Sequence, residues 1–137
     1  MRYTQGEYKI LKKTAIAREV YDYTILCPEI AEIAQPGQFV HLRPKGFSLR
    51  RPISICRIDR HNGTLRIVFE VRGEGTAELA KLNTGEFIDM MAPLGRGFNL
   101  PENPKKVIIV GGGIGTPPML PPVNRDCDKY ISQLDND

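Results

Sequence analysis

Metal ligands and disulfide partners are scarce in this chain: its 137 residues include three cysteines and two histidines. Cys27, Cys56 and Cys127 are odd in number, widely separated and without a CxxC pair, which excludes a disulfide framework and a cysteine-based metal site. Cys27 and Cys56 fall in strand-like stretches, where a free thiol behaves as a small buried hydrophobe. His41 and His61 stand apart from the cysteines and from each other, so neither carries a catalytic reading. Long apolar runs are missing as well. Nothing approaches the ~18 apolar residues of a membrane-spanning helix, and the opening MRYTQGEYKI lacks the apolar centre of a signal peptide. The expected location is the cytoplasm. Charge is nearly balanced, with 19 basic and 16 acidic residues and a net charge of +3. The basic residues are scattered, without a basic stripe interleaved with aromatics, which argues against a nucleic-acid partner.

What is present is the balance of a globular chain, 41% hydrophobic and 26% charged, rather than that of a disordered one. The length suits one domain of ordinary size and leaves no room beside it for a second complete nucleotide-binding domain. Up to Pro101 the sequence is a succession of strand candidates, residues 8–17, 20–27, 38–42, 51–58, 64–72 and 86–92, separated by turn residues. Arg18-Glu19 turns between the first two, Pro28 closes the second, and Pro36-Gly37 leads into the third. His61-Asn62-Gly63 is the strongest hairpin signal, since asparagine–glycine suits the positive φ angles of a two-residue turn. In the fifth candidate Leu65, Ile67, Phe69 and Val71 alternate with Arg66, Val68, Glu70 and Arg72, giving one core face and one partly open face. Residues 76–82 read as a short helix with Thr76 as its N-cap and Leu79 and Leu82 at helical spacing. Six strands and one short helix define a mainly β fold, a closed antiparallel barrel.

Two elements of this barrel are suited to anions. Arg51-Pro52-Ile53-Ser54 aims a guanidinium and a hydroxyl at one phosphate. Gly73-Glu74-Gly75-Thr76 opens the helix and offers backbone N–H groups to another. Two such grips on a small barrel suggest a dinucleotide, with a flavin as the leading candidate. After Pro101 the pattern changes. Val107-Ile108-Ile109-Val110 is apolar without alternation, as in a strand buried on both faces of a parallel sheet. The glycines that follow, Gly111, Gly112, Gly113 and Gly115, look like the opening of a nicotinamide-nucleotide domain. The match is partial: Thr116 stands where the last glycine of GxGxxG would fall, and no GK[ST] completes a P-loop.

Taken in order, LRRPISICRID, TLRIVFEVRGEGTAELAKL, PLGRGF and VIIVGGGIG resemble the electron-transfer subunits of NAD-linked, type B dihydroorotate dehydrogenases, which belong to the ferredoxin-reductase-like flavoproteins. The resemblance runs from about Tyr8 to Leu120. It implies a six-stranded Greek-key barrel carrying FAD, a following α/β domain for the nicotinamide, a two-iron, two-sulfur centre on a cysteine cluster, and a separate catalytic subunit as partner. The flavin contacts it implies fall on Arg51, Pro52, Ile53 and Ser54, on Val68, Phe69 and Glu70, and on Gly75 and Thr76; the middle group rests on the resemblance alone. The sequence departs from the pattern after Leu120. Pro121-Pro122 stops the helix opened at Thr116, no acidic residue follows a second strand to hold a ribose, and the cysteine quartet of the iron–sulfur centre is absent. The expected layout is therefore an FAD-binding barrel over residues 1–101, an incomplete NAD-binding segment over 102–120 and an atypical, mobile tail over 121–137. The barrel's flavin contacts would end at Thr76, so residues 1–101 would bind FAD by themselves. A truncated electron-transfer subunit is the leading reading. A small stand-alone flavin reductase and a non-catalytic partner-binding barrel are the alternatives, so enzymatic activity stays open.

Overall fold

Strand β5 (Thr64–Glu70) shows how the alternation is used: Leu65, Ile67 and Phe69 are at most 1% exposed and fill the core. The computed structural model describes residues 2–99, 108, 110, 112–115 and 117–119. Besides β5 the strands are β1 (Thr4–Ala17), β2 (Val20–Leu26), β3 (Phe39–Arg43), β4 (Arg51–Asp59) and β6 (Phe87–Leu94). They close into one barrel in the order β1-β2-β5-β4-β3-β6, every neighbouring pair antiparallel. The chain leaves β2, forms β3 and β4, and returns to pair β5 with β2, which is a Greek-key path. Inward residues from every strand, among them Ile10, Tyr23, Ile25, Val40, Leu42, Ile55, Ile88 and Met90, meet in a single core. Each such buried side chain contributes roughly 1.5–3 kcal/mol.

The barrel agrees with the fold expected from the sequence, and its details add to it. Strand β1 starts at Thr4 rather than Tyr8, because residues 4–9 pair one for one with 87–92 of β6. Pro28 does more than end β2: it starts helix α1 (Pro28–Ile33), a helix the sequence reading did not anticipate. Proline suits the first helical position, where no N–H partner is required. The Cys27 carbonyl accepts from Ile30 N and Ala31 N at 3.1 and 2.9 Å, and both residues are buried. The expected two-residue hairpin is a longer loop, residues 60–63, closed by the Asp59–Thr64 pair. Asp59 sets its shape by accepting from Asn62 N at 3.0 Å and Asn62 Nδ2 at 2.8 Å, so among these residues only Gly63 needs a positive φ. These bonds hold the Asp59 carboxyl below its ordinary pKa.

Helix α2 (Glu74–Ala80) follows β5, and its N-cap is Gly73 rather than Thr76. The loop after β6 folds back on the Pro36-Gly37 turn. Phe98 N donates to Pro36 O at 2.8 Å, and the Gln38 carboxamide accepts from Gln35 N at 2.8 Å and donates to Gly95 O at 2.9 Å. A Cβ at Gly37 would lie 2.6 Å from Phe98 N, so this closure requires glycine there. Beyond the barrel, two 3₁₀ turns are described, Gly113–Gly115 and Pro117–Met119. Of the expected strand 107–110, Ile108 and Val110 are described; both are exposed and neither lies in a strand. Val107, Ile109, Gly111 and the tail 121–137 lie outside the described residues. No described helix is long and apolar enough to cross a membrane.

Candidate functional site

The start of β4 brings two adjacent arginines to the barrel surface and sends them opposite ways. Arg50 is locked into the scaffold: its guanidinium donates to His41 O at 3.1 Å and to Asp89 Oδ1 at 2.9 Å. Asp89 also holds Arg43 at 2.8 Å, so one carboxylate on β6 ties β3 to the entry of β4. Arg51 instead faces a cleft of about 450 Å³, a volume within the range of small-molecule sites, roughly 300–1,000 Å³. Its Nη1 donates to Leu49 O at 2.7 Å, and its guanidinium carbon lies 5.4 Å from the centre of the Phe47 ring.

The cleft collects most of the residues singled out from the sequence. β4 contributes Arg51, Pro52, Ile53 and Ser54 to its lining, β5 contributes Val68, Phe69 and Glu70, and α2 contributes Thr76. Phe69 is packed edge-on to Tyr23, centroids 5.3 Å apart, and tilted on Tyr21 at 6.0 Å, so the core fixes its ring against the cleft floor. Gly75 is buried beside Arg51, and a Cβ there would come within 2.5 Å of Arg51 Nε. The Thr76 hydroxyl is engaged locally, accepting from Arg72 N at 2.8 Å and donating to Gly73 O at 3.2 Å. It shapes the first turn of α2 from inside the helix.

The far end of α2 is anchored by two side chains that no motif pointed to. The Tyr23 hydroxyl, buried in the core, donates to Leu79 O at 2.6 Å and Leu82 O at 3.0 Å, and that burial pushes its pKa up. Lys13 Nζ donates to Ala80 O at 2.6 Å and Asn83 Oδ1 at 3.3 Å, a cation at the end of the helix where the dipole is negative.

Several lining residues were missed. Arg72 lies in the cleft wall, ion-paired with Glu70 at 2.9 Å; the alternation had already put it on Glu70's face. Ile114 and Pro118 line the cleft with Gly115. Gly112 and Gly113 are exposed and do not line it, and Gly111 lies outside the described residues. The turns after residue 112 thus form part of the cleft wall, beside the barrel residues up to Thr76. Cys27 and Cys56 are buried free thiols, and burial pushes the Cys27 thiol up to about 12. Among the described residues no group of three or more His, Cys, Asp or Glu is placed to hold a metal ion.

A six-stranded Greek-key barrel with this cleft on β4, β5 and α2 is of the ferredoxin-reductase type. The chain superposes on a chain of the NADH-dependent reduced ferredoxin-NADP oxidoreductase with a TM-score of 0.82 and 33% identity, covering 89% of this chain and 44% of that one. In sequence it is 43% identical over 119 residues to the dihydroorotate dehydrogenase B (NAD(+)) electron transfer subunit of Listeria monocytogenes, covering 84% of this chain and 46% of that protein. With the Listeria innocua subunit of the same name it shares 43% identity over 131 residues, 93% of this chain and 51% of that protein. Over the shared segment the chain is a homologue of the electron transfer subunits of dihydroorotate dehydrogenase B. It spans about half the length of the curated relatives it matches. No protein-family model matches the chain.

Proposed function

We propose that the cleft between β4, β5 and α2 binds FAD, and that the chain is the flavin-holding part of an electron-transfer subunit that serves the catalytic subunit of a dihydroorotate dehydrogenase. The observation that carries this reading is the convergence of Arg51-Pro52-Ile53-Ser54, Val68-Phe69-Glu70 and Thr76 on one cleft, with Gly75 buried against Arg51, in a chain homologous to those subunits.

The residues present fit such a ligand. Arg51 keeps guanidinium N–H groups for a phosphate after its one bond to Leu49 O, and a charge-assisted bond of this kind is about twice as strong as a neutral one. Ile53, Val68, Phe69 and Ile114 offer apolar walls for a ring system, while Ser54 and Glu70 supply polar groups at its edge. Glu70 accepts hydrogen bonds, which suits sugar hydroxyls or an amino group. Bound FAD would supply hydride and electron transfer; the protein's part is to hold it, orient it and shield one face from water. Buried free thiols at Cys27 and Cys56 suit a reducing compartment, in keeping with the cytoplasm.

The test is the absorption spectrum of the purified chain after saturation with FAD and removal of excess, with the heat-released nucleotide identified by mass. A flavin spectrum and FAD are expected. A colourless protein under these conditions would overturn the reading.

A further inference from the structure

Arg51 stands at the first residue of β4, so the strand ladder fixes its backbone and leaves its long side chain undirected. Three contacts direct it: the Leu49 carbonyl at 2.7 Å, the backbone of Gly75, and the face of Phe47 at 5.4 Å. The first comes from main chain that any sequence would supply. Phe47 is different. It is half-buried, sits in a turn closed by Phe47 N donating to Pro44 O at 3.1 Å, and takes no part in the barrel core. Core packing therefore gives no reason for an aromatic residue there, whereas the guanidinium over its ring does, because the ring face is negative and attracts a cation.

We propose that Phe47 is a positioning residue that holds Arg51 in its ligand-binding orientation. The inference rests on the FAD reading above. A pre-oriented arginine loses less side-chain freedom on binding than a mobile one, so part of the affinity for the dinucleotide depends on aromaticity at position 47.

The experiment is FAD titration of the full chain as wild type, Phe47→Leu, Phe47→Tyr, Arg51→Ala and the double variant Arg51→Ala/Phe47→Leu. Phe47→Leu is expected to weaken binding about two- to fivefold, the effect of one exposed cation–π contact. Phe47→Tyr should bind as wild type, and Phe47→Leu should add no further loss once Arg51 is alanine. That non-additivity separates positioning of Arg51 from a general loosening of the loop. Thermal melts confirm that each variant is folded, and Phe47→Met serves as a second non-aromatic side chain should Phe47→Leu melt early. Wild-type affinity in Phe47→Leu alongside weakened Arg51→Ala, or the full Phe47→Leu loss persisting without Arg51, overturns this inference and leaves the FAD reading standing. Failure of the wild type to bind FAD overturns both.

Discussion

The Arg51 guanidinium rests on the backbone of Gly75, so close that a Cβ at position 75 would sit 2.5 Å from Nε and 2.6 Å from Nη2. Position 75 lies in the first turn of α2, where alanine is favoured over glycine by up to about 1 kcal/mol. Gly75→Ala is therefore expected to leave the melting temperature unchanged or raise it, while displacing Arg51 and weakening FAD binding. The loss should approach that of Arg51→Ala. A variant with wild-type affinity would show that Arg51 binds nothing from this position.

Tyr23 links the core to the cleft, since it packs on Phe69 and holds the Leu79 and Leu82 carbonyls through its hydroxyl. Tyr23→Phe keeps the ring and leaves both carbonyls without that donor, at a cost of about 1–3 kcal/mol. Thermal melts should show a drop of roughly 4–8 °C per kcal/mol for a domain of this size. FAD affinity should fall as well, because α2 loses an anchor. An unchanged melt would mean that other donors replace the hydroxyl.

Alkaline pH should destabilise the barrel through Cys27. Burial lifts its thiol from 9.0 to about 12, so the folded state keeps a proton that the unfolded chain releases. The resulting stability is fully present below pH 9.0 and is lost as pH rises toward about 12. Tyr23 acts with the same sign, its pKa also being raised by burial. Denaturant unfolding at a series of pH values from about 8 to 10.5 should show falling stability, with a shallower slope in Cys27→Ala. Equal slopes in the two proteins would remove Cys27 from the account.

A polypeptide ending at residue 101 should fold, because the six strands and two α-helices of the described residues end by Leu94. It should bind FAD more weakly than the full chain, having lost the wall formed by Ile114, Gly115 and Pro118. Equal affinity in parallel titrations would place those residues outside the site.

The barrel was legible because its strands alternate and its turns carry proline and glycine, as the core positions Leu65, Ile67 and Phe69 illustrate. The cleft was legible where short motifs carry groups suited to anions, a guanidinium with a hydroxyl in Arg51-Pro52-Ile53-Ser54 and a glycine step opening a helix at Gly75-Thr76. Other features depend on tertiary contacts and left no local signal. Arg50 and Arg51 are adjacent residues of one type, and the bonds of Arg50 to His41 O and to Asp89, both distant in sequence, mark it as the structural one. Helix α1 was hidden because Pro28 is as good a strand stop as a helix start, and Thr76 was misread as a cap because the capping position fell to a glycine. Tyr23 and Lys13 read as ordinary strand residues until α2 packs beside them.

If Arg51 anchors FAD in this cleft, calorimetric titration of FAD into wild type and Arg51→Ala will separate the two proteins. Micromolar or tighter binding is expected for the wild type. The variant should bind about ten- to a hundredfold more weakly, as the loss of a charge-assisted contact worth roughly 1.5–3 kcal/mol requires. Equal affinities in the two proteins, or no binding by the wild type, would contradict the account.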